Sequence, residues 1–184
     1  KSDDLSGTGA KYTLEHISRS IEFMCAYLTE KGYSREKDLP DCKSILRCTS
    51  LNTKLKDIHF SSGQIELMGK ILGTADLMGQ MADRRYLEKL LFLFQEFREG
   101  GVEEFDRETD LLNNTLEFHK MTKERFAGEL GGMNRFMRFH LERRWNIDRD
   151  IYEEAIDRKI EYLRMVLRDH MEDYRVYLRR IRNF

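Results

Sequence analysis

Residues 61–83 read Ser61-Ser62-Gly63-Gln64-Ile65-Glu66-Leu67-Met68-Gly69-Lys70-Ile71-Leu72-Gly73-Thr74-Ala75-Asp76-Leu77-Met78-Gly79-Gln80-Met81-Ala82-Asp83. Ser61 and Gln64 have the S-x-x-Q spacing of a capping box, in which the serine oxygen accepts from an early helical amide while the glutamine reaches back to the cap amide. The spacing therefore predicts a helix start here. Apolar side chains at Ile65, Met68, Ile71, Leu72, Ala75 and Met78 follow at three- and four-residue intervals, the period of one helix face. The helix either continues through Gly79 or breaks there. Beyond it, Arg84 to Phe97 carries Tyr86, Leu87, Leu90, Leu91 and Phe94 on more than one face, as a helix set centrally in a core does, and Gly100-Gly101 end it.

The same period extends outward in both directions. Residues 1–10, KSDDLSGTGA, are small and polar and read as a flexible lead-in. Thr13 offers an N-cap for a helix carrying Leu14, Ile17, Ile21, Met24, Cys25 and Leu28, stopped by Gly32. The chain turns at Ser34–Asp38, Pro40 suits the first turn of a shorter helix with Cys42, Ile45, Leu46 and Thr49, and Asn52 to Phe60 read as loop. On the C-terminal side, Thr109 to about Leu130 carries Leu112, Leu116, Met121 and Phe126, and Gly131-Gly132 precede a helix from Met133 to Trp145. Asp148 or Asp150 caps a long last helix, whose Ile160, Leu163, Leu167, His170, Tyr174, Tyr177 and Ile181 form a seam able to pack on the domain's own core or on a second copy. The expected architecture is all-α: one helical domain over residues 11–184.

Composition agrees. A chain of 184 residues with 40% apolar content buries one core. Its 32 Lys and Arg against 33 Asp and Glu leave a net charge of -1, which argues against a generic binder of nucleic-acid polymers. One proline and 35% charged residues, above the roughly 25% of an average domain, suit helices with solvated outer faces. Three cysteines, Cys25, Cys42 and Cys48, are odd in number and sit in apolar periodic segments, so reduced thiols are expected. No run approaches the roughly 20 apolar residues of a membrane span and no charged-then-apolar leader is seen, which gives the expectation of a soluble, cytoplasmic protein. Phosphate-binding glycine loops, a G-x-S-x-G elbow, C-x-x-C and H-E-x-x-H are absent from the sequence.

Two residues stand out chemically. Asp76 lies within an apolar helical stretch, where a carboxylate persists if it is paired, hydrogen-bonded, protonated or bound to a metal. Gly73 and Gly79 beside it leave room for a ligand or another backbone. Asp83 lies seven residues on, near the same face, and Arg84, Arg85 and Lys89 cluster after it, so a carboxylate–arginine network within the chain is the alternative reading. His16, one position before Ile17, reads either as a partly buried histidine with its hydrogen bonds satisfied or as a ligand.

Taken together, Gly7-Thr-Gly-Ala-Lys-Tyr-Thr-Leu-Glu-His16-Ile-Ser-Arg-Ser20, Gly32-Tyr-Ser, Cys48-Thr49 and Leu72-Gly-Thr-Ala-Asp76-Leu-Met-Gly-Gln-Met-Ala-Asp-Arg resemble the later part of bacterial HD-domain metal-dependent phosphohydrolases, over about residues 7–98. The resemblance implies an HD-type helical bundle over about 11–98 with a C-terminal helical extension over about 105–184. It implies hydrolysis of a nucleotide or other small phosphate ester, with a divalent metal (Mn, Fe, Mg, Ni or Zn) held by Asp76 as the family's distant Asp and by His16 as an additional histidine. Arg84, Arg85 and Lys89 would then hold substrate phosphate, and Thr49, Gln80 and Asp83 would line the pocket. The sequence departs from the family in one respect: it contains no adjacent His-Asp pair, which the family places ahead of the Gly7 segment. Such a pair is expected upstream of Lys1, or this copy lacks it. A helical interaction module retaining an HD-like scaffold, dimerising through the C-terminal helix, is the alternative function.

Overall fold

The computed structural model describes residues 9–179; residues 1–8 of the expected lead-in and Ile181 of the expected seam lie outside the described residues. Among the described residues there are eight α-helices and no strand: α1 (His16–Glu30), α2 (Asp38–Arg47), α3 (Gly63–Ala82), α4 (Tyr86–Glu99), α5 (Glu108–Ala127), α6 (Met137–Trp145), α7 (Ile151–Asp169) and α8 (Tyr174–Leu178). The protein is all-α. The described residues divide into two compact units, one built from residues 9–14, Gln80–Met121 and residues 151–179, the other from Glu15–Gly79 and Thr122–Asp150.

The first unit is organised by α7. Ile156, Ile160, Leu163, Val166 and Leu167 recur at helical spacing, and all are buried. They cluster with Tyr86, Leu87, Leu90 and Leu91 of α4, Leu112 of α5 and Leu178 of α8. The seam from Ile160 to Leu167 is therefore taken up by the unit's own core. The expected single helix running to residue 181 is interrupted: α7 ends at Asp169 and α8 begins at Tyr174. The interruption has a physical cause at Glu108, which is only 6% exposed. Tyr174 Oη and Arg175 Nε both donate to its Oε2, at 2.6 and 2.8 Å, and a buried carboxylate needs such donors. Nearby, the His170 ring stacks on Tyr177 with centroids 3.7 Å apart, and Tyr162 Oη donates to the Tyr177 carbonyl at 2.9 Å. Thr13 does not cap a helix: its hydroxyl donates to the Ala10 carbonyl at 2.7 Å within a 3-10 stretch over Gly9–Glu15.

The second unit is centred on α3. Ser62, rather than Ser61, accepts from the Ile65 amide at 3.3 Å, because Ser61 is turned toward Asp41, to which it donates at 2.6 Å. The helix does not break at Gly79 but continues to Ala82. One side of α3 packs on the end of α2 so closely that a Cβ at Gly69 would lie 2.5 Å from Cys48 Sγ, and one at Gly73 would lie 2.6 Å from the Cys48 carbonyl oxygen. Arg125 closes this corner, donating to the carbonyls of Cys48 at 3.2 Å and Ser50 at 2.9 Å, groups that the end of α2 leaves without helical partners. The helix expected over Met133–Trp145 is divided into a 3-10 turn, Met133–Phe136, and α6. In contrast to α3, α1 has no buried residue. Among the described residues no helix is long and apolar enough to cross a membrane.

Candidate functional site

Asp76 on α3 and His16 at the first position of α1 belong to the same unit. They are close enough to interact electrostatically. Burial pushes the Asp76 carboxyl above its ordinary value of 3.8, and His16 opposes this by favouring the charged form. Burial dominates.

The surroundings of Asp76 differ from the expectation of a carboxylate sealed among buried neighbours. Asp76 is solvent-accessible, as are Leu67, Met68, Ile71 and Leu72 on the helical turns before it. Gly69, Gly73, Thr74, Leu77 and Met78 occupy the packed side instead. The apolar residues of α3 thus serve two faces, and Asp76 lies on the open one. Gly73 leaves no room for a ligand, since the Cys48 carbonyl fills the space a side chain would take, whereas Gly79 has nothing within 4 Å of its Cβ position.

A carboxylate and an imidazole are, in kind, suitable ligands for a divalent transition metal. In number they fall short, because among the described residues no group of three or more His, Cys, Asp or Glu side chains is arranged to hold a metal ion. By itself the pair therefore does not fit a catalytic metal centre. Its members are of the kinds used in proton chemistry, an imidazole that can give or take a proton and a carboxylate of opposing charge.

The remaining candidate residues divide between the units. Thr49, in the second unit, directs its hydroxyl back to the Leu46 carbonyl at 2.8 Å, as a cap at the end of α2. Gln80, Asp83, Arg84, Arg85 and Lys89 belong to the first. Asp83 is paired with Lys89 and accepts from the Arg85 amide at 2.8 Å, and the side-chain hydrogen bond from Lys89, ahead of that backbone bond, holds the carboxyl below its ordinary value. Those two contacts account for Asp83 and Lys89 as parts of the α3–α4 turn. Arg84 instead lines a cleft of the first unit.

The three cysteines are free. Burial raises the Cys48 thiol to about 11, the largest effect among its surroundings, which leaves it a packing group rather than a nucleophile at neutral pH. Cys42 is likewise raised, by burial first and then by Asp38, Asp41 and Cys25. Arg125, which organises the corner beside α3, was not legible beforehand because its partners lie 75 and 77 positions away in sequence. A guanidinium on a helix carries no local mark of such a role.

A family model described as Npun_R2479-like matches residues 7–129, which include His16, Asp76 and Arg125. Nothing among curated proteins and nothing among solved structures matches the chain.

Proposed function

The chain belongs to the Npun_R2479-like family; from the resemblance of residues 7–98 to HD enzymes and the placement of Asp76 and His16, we propose that it is a phosphohydrolase of HD type acting on a nucleotide or other small phosphate ester. The observation that carries this reading is that Asp76 of α3 and His16 of α1, both exposed residues of one unit, lie close enough to interact electrostatically. Hydrolysis of a phosphate ester needs a group to take a proton from the attacking water and one to hold that group in place. In this proposal His16 accepts the water proton and Asp76 stabilises the resulting imidazolium, a division of labour that uses both members of the pair. The divalent metal implied by the resemblance to HD enzymes would be an alternative use of the same two side chains, since a metal on His16 would take the lone pair that the base role needs, and the described residues do not complete its ligand set.

Phosphate release from p-nitrophenyl phosphate and a panel of nucleoside phosphates, each assayed with EDTA and with added manganese, tests the reading. Turnover is expected in the wild type, with a fall of about 100-fold or more in both Asp76→Asn and His16→Ala. Equal turnover in all three proteins would overturn it.

A second reading, a helical interaction module retaining an HD-like scaffold, is favoured by one specific observation. A helix of this length is marginal in water unless one face is covered, yet α1 has no buried residue and exposes Phe23 at 74%. The α3 residues Leu67, Met68, Ile71 and Leu72 are exposed as well. Absence of turnover from the wild type under all the conditions above would favour this module over the enzyme.

A further inference from the structure

The first unit contains a cleft of about 860 Å³ between the start of α4, the middle of α7 and α8. That volume falls within the range of small-molecule sites. Part of its lining is apolar: Leu87 and Leu178, both buried, with Ala82, Ala155 and Val176. Its rim is strongly cationic: Arg84, Arg158, Lys159 and Arg179 line it, against the single acid Glu88.

Several cations elsewhere among the described residues are already paired. Lys89, Arg107, Arg138, Arg168 and Arg175 are each engaged by a carboxylate. Lys159 is held in place, donating to the Ala82 and Ala155 carbonyls at 2.9 and 3.2 Å. No ion pair or side-chain hydrogen bond among the described residues occupies Arg84, Arg158 or Arg179. Three guanidinium groups thus stand on one concavity with their donors available, and guanidinium is the side chain best matched to phosphate oxygens.

An aromatic wall adjoins them. Tyr162 and Tyr177 both line the cleft. Tyr162 is fixed by its hydrogen bond to the Tyr177 carbonyl, and the Tyr177 ring is fixed by its stack on His170. Rings held in this way offer a π-face at little entropic cost.

We infer that this cleft binds a nucleoside polyphosphate, its phosphates held by Arg84, Arg158 and Arg179 and its base against Tyr162 and Tyr177. An inorganic polyphosphate would use the arginines alone and leave the aromatic wall and apolar lining uncovered. A nucleoside would use the wall alone. The inference shares no residue with the Asp76–His16 pair and does not depend on that pair hydrolysing anything.

Calorimetric titration of the full chain with ATP, inorganic tripolyphosphate and adenosine, at fixed ionic strength, tests the assignment. ATP is expected to bind more tightly than tripolyphosphate, and both more tightly than adenosine. Arg158→Glu and Arg179→Glu, both exposed positions, are each expected to weaken ATP by about tenfold or more. Arg164→Glu, an equal change of net charge on the same helix but outside the cleft lining, should leave ATP binding unchanged. Tripolyphosphate binding as tightly as ATP would overturn the nucleoside assignment. Undiminished ATP affinity in the two cleft variants, a loss in Arg164→Glu, or no ATP binding to the wild type would overturn the site.

Discussion

Gly73→Val is expected to destabilise the protein by about 3 kcal/mol, because the new side chain has no space to occupy. A Cβ at this position would lie 2.6 Å from the Cys48 carbonyl oxygen and 3.2 Å from Leu130 Cδ2. The first of these is backbone, held by the end of α2 and by the Arg125 guanidinium that donates to that same carbonyl. It cannot rotate away as a side-chain tip would, so relief requires α3 to move off α2. Gly79→Ala on the same helix is the control. Nothing lies within 4 Å of its Cβ position, and an alanine there should stabilise by up to about 1 kcal/mol through helix propensity alone. Chemical denaturation followed by far-ultraviolet circular dichroism measures both. Equal behaviour of the two variants would contradict the close approach of α3 to α2.

Leu163→Ala is expected to cost about 3 kcal/mol, within the range found for truncating a sealed leucine. Leu163 is 0% exposed, and its helix neighbours Ile160 and Val166 are 1% and 0% exposed. The residues around it come from several helices, so the space left by the lost methyl groups is walled by side chains with their own anchors and collapses only in part. Tyr162→Ala, one position earlier on the exposed side, should cost distinctly less. A loss under about 1 kcal/mol in Leu163→Ala would place this seam outside the core.

The contrast between these two sites shows what the sequence discloses. The period of α7 is a local signal, and burial of Ile160, Leu163 and Leu167 follows from it directly. The punctuation by Gly100-Gly101 and Gly131-Gly132 is similarly local. On α3 the pattern is legible as helix but not as to which face is covered, because apolar residues lie on both. Ile71 and Leu72 have the composition of core residues and are exposed, while small residues, Gly69 and Gly73, occupy the packed side. Close approach of two helices selects small side chains, and a reading based on large apolar residues passes over them.

Side-chain competition explains the other differences. Ser61 is a reasonable cap, but Asp41 engages it from twenty residues away and Ser62 takes its place. The last helix is continuous by period, but Tyr174 and Arg175 are drawn to the buried Glu108. In each case a partner distant in sequence decides the outcome. For the same reason the arginines of the first unit could be named as phosphate-binding candidates only where they were adjacent to Asp83. Arg158 and Arg179, brought to Arg84 by the packing of α7 and α8, carried no such mark.

Asp76 and His16 of the second unit lie close enough to interact electrostatically, and this has a direct consequence for titration. Since burial raises the Asp76 carboxyl in the folded state, its ionisation costs the folded protein stability above the folded-state value, a cost that disappears below the ordinary value of 3.8. The most direct test is the titration of Asp76 itself, followed by carbon-13 NMR of labelled aspartate side chains in the wild type and in His16→Ala. The midpoint should lie above 3.8 in the wild type and rise further in the variant, where the favourable charge is gone. A wild-type midpoint at or below 3.8, or one that does not move when His16 is removed, would contradict the pairing.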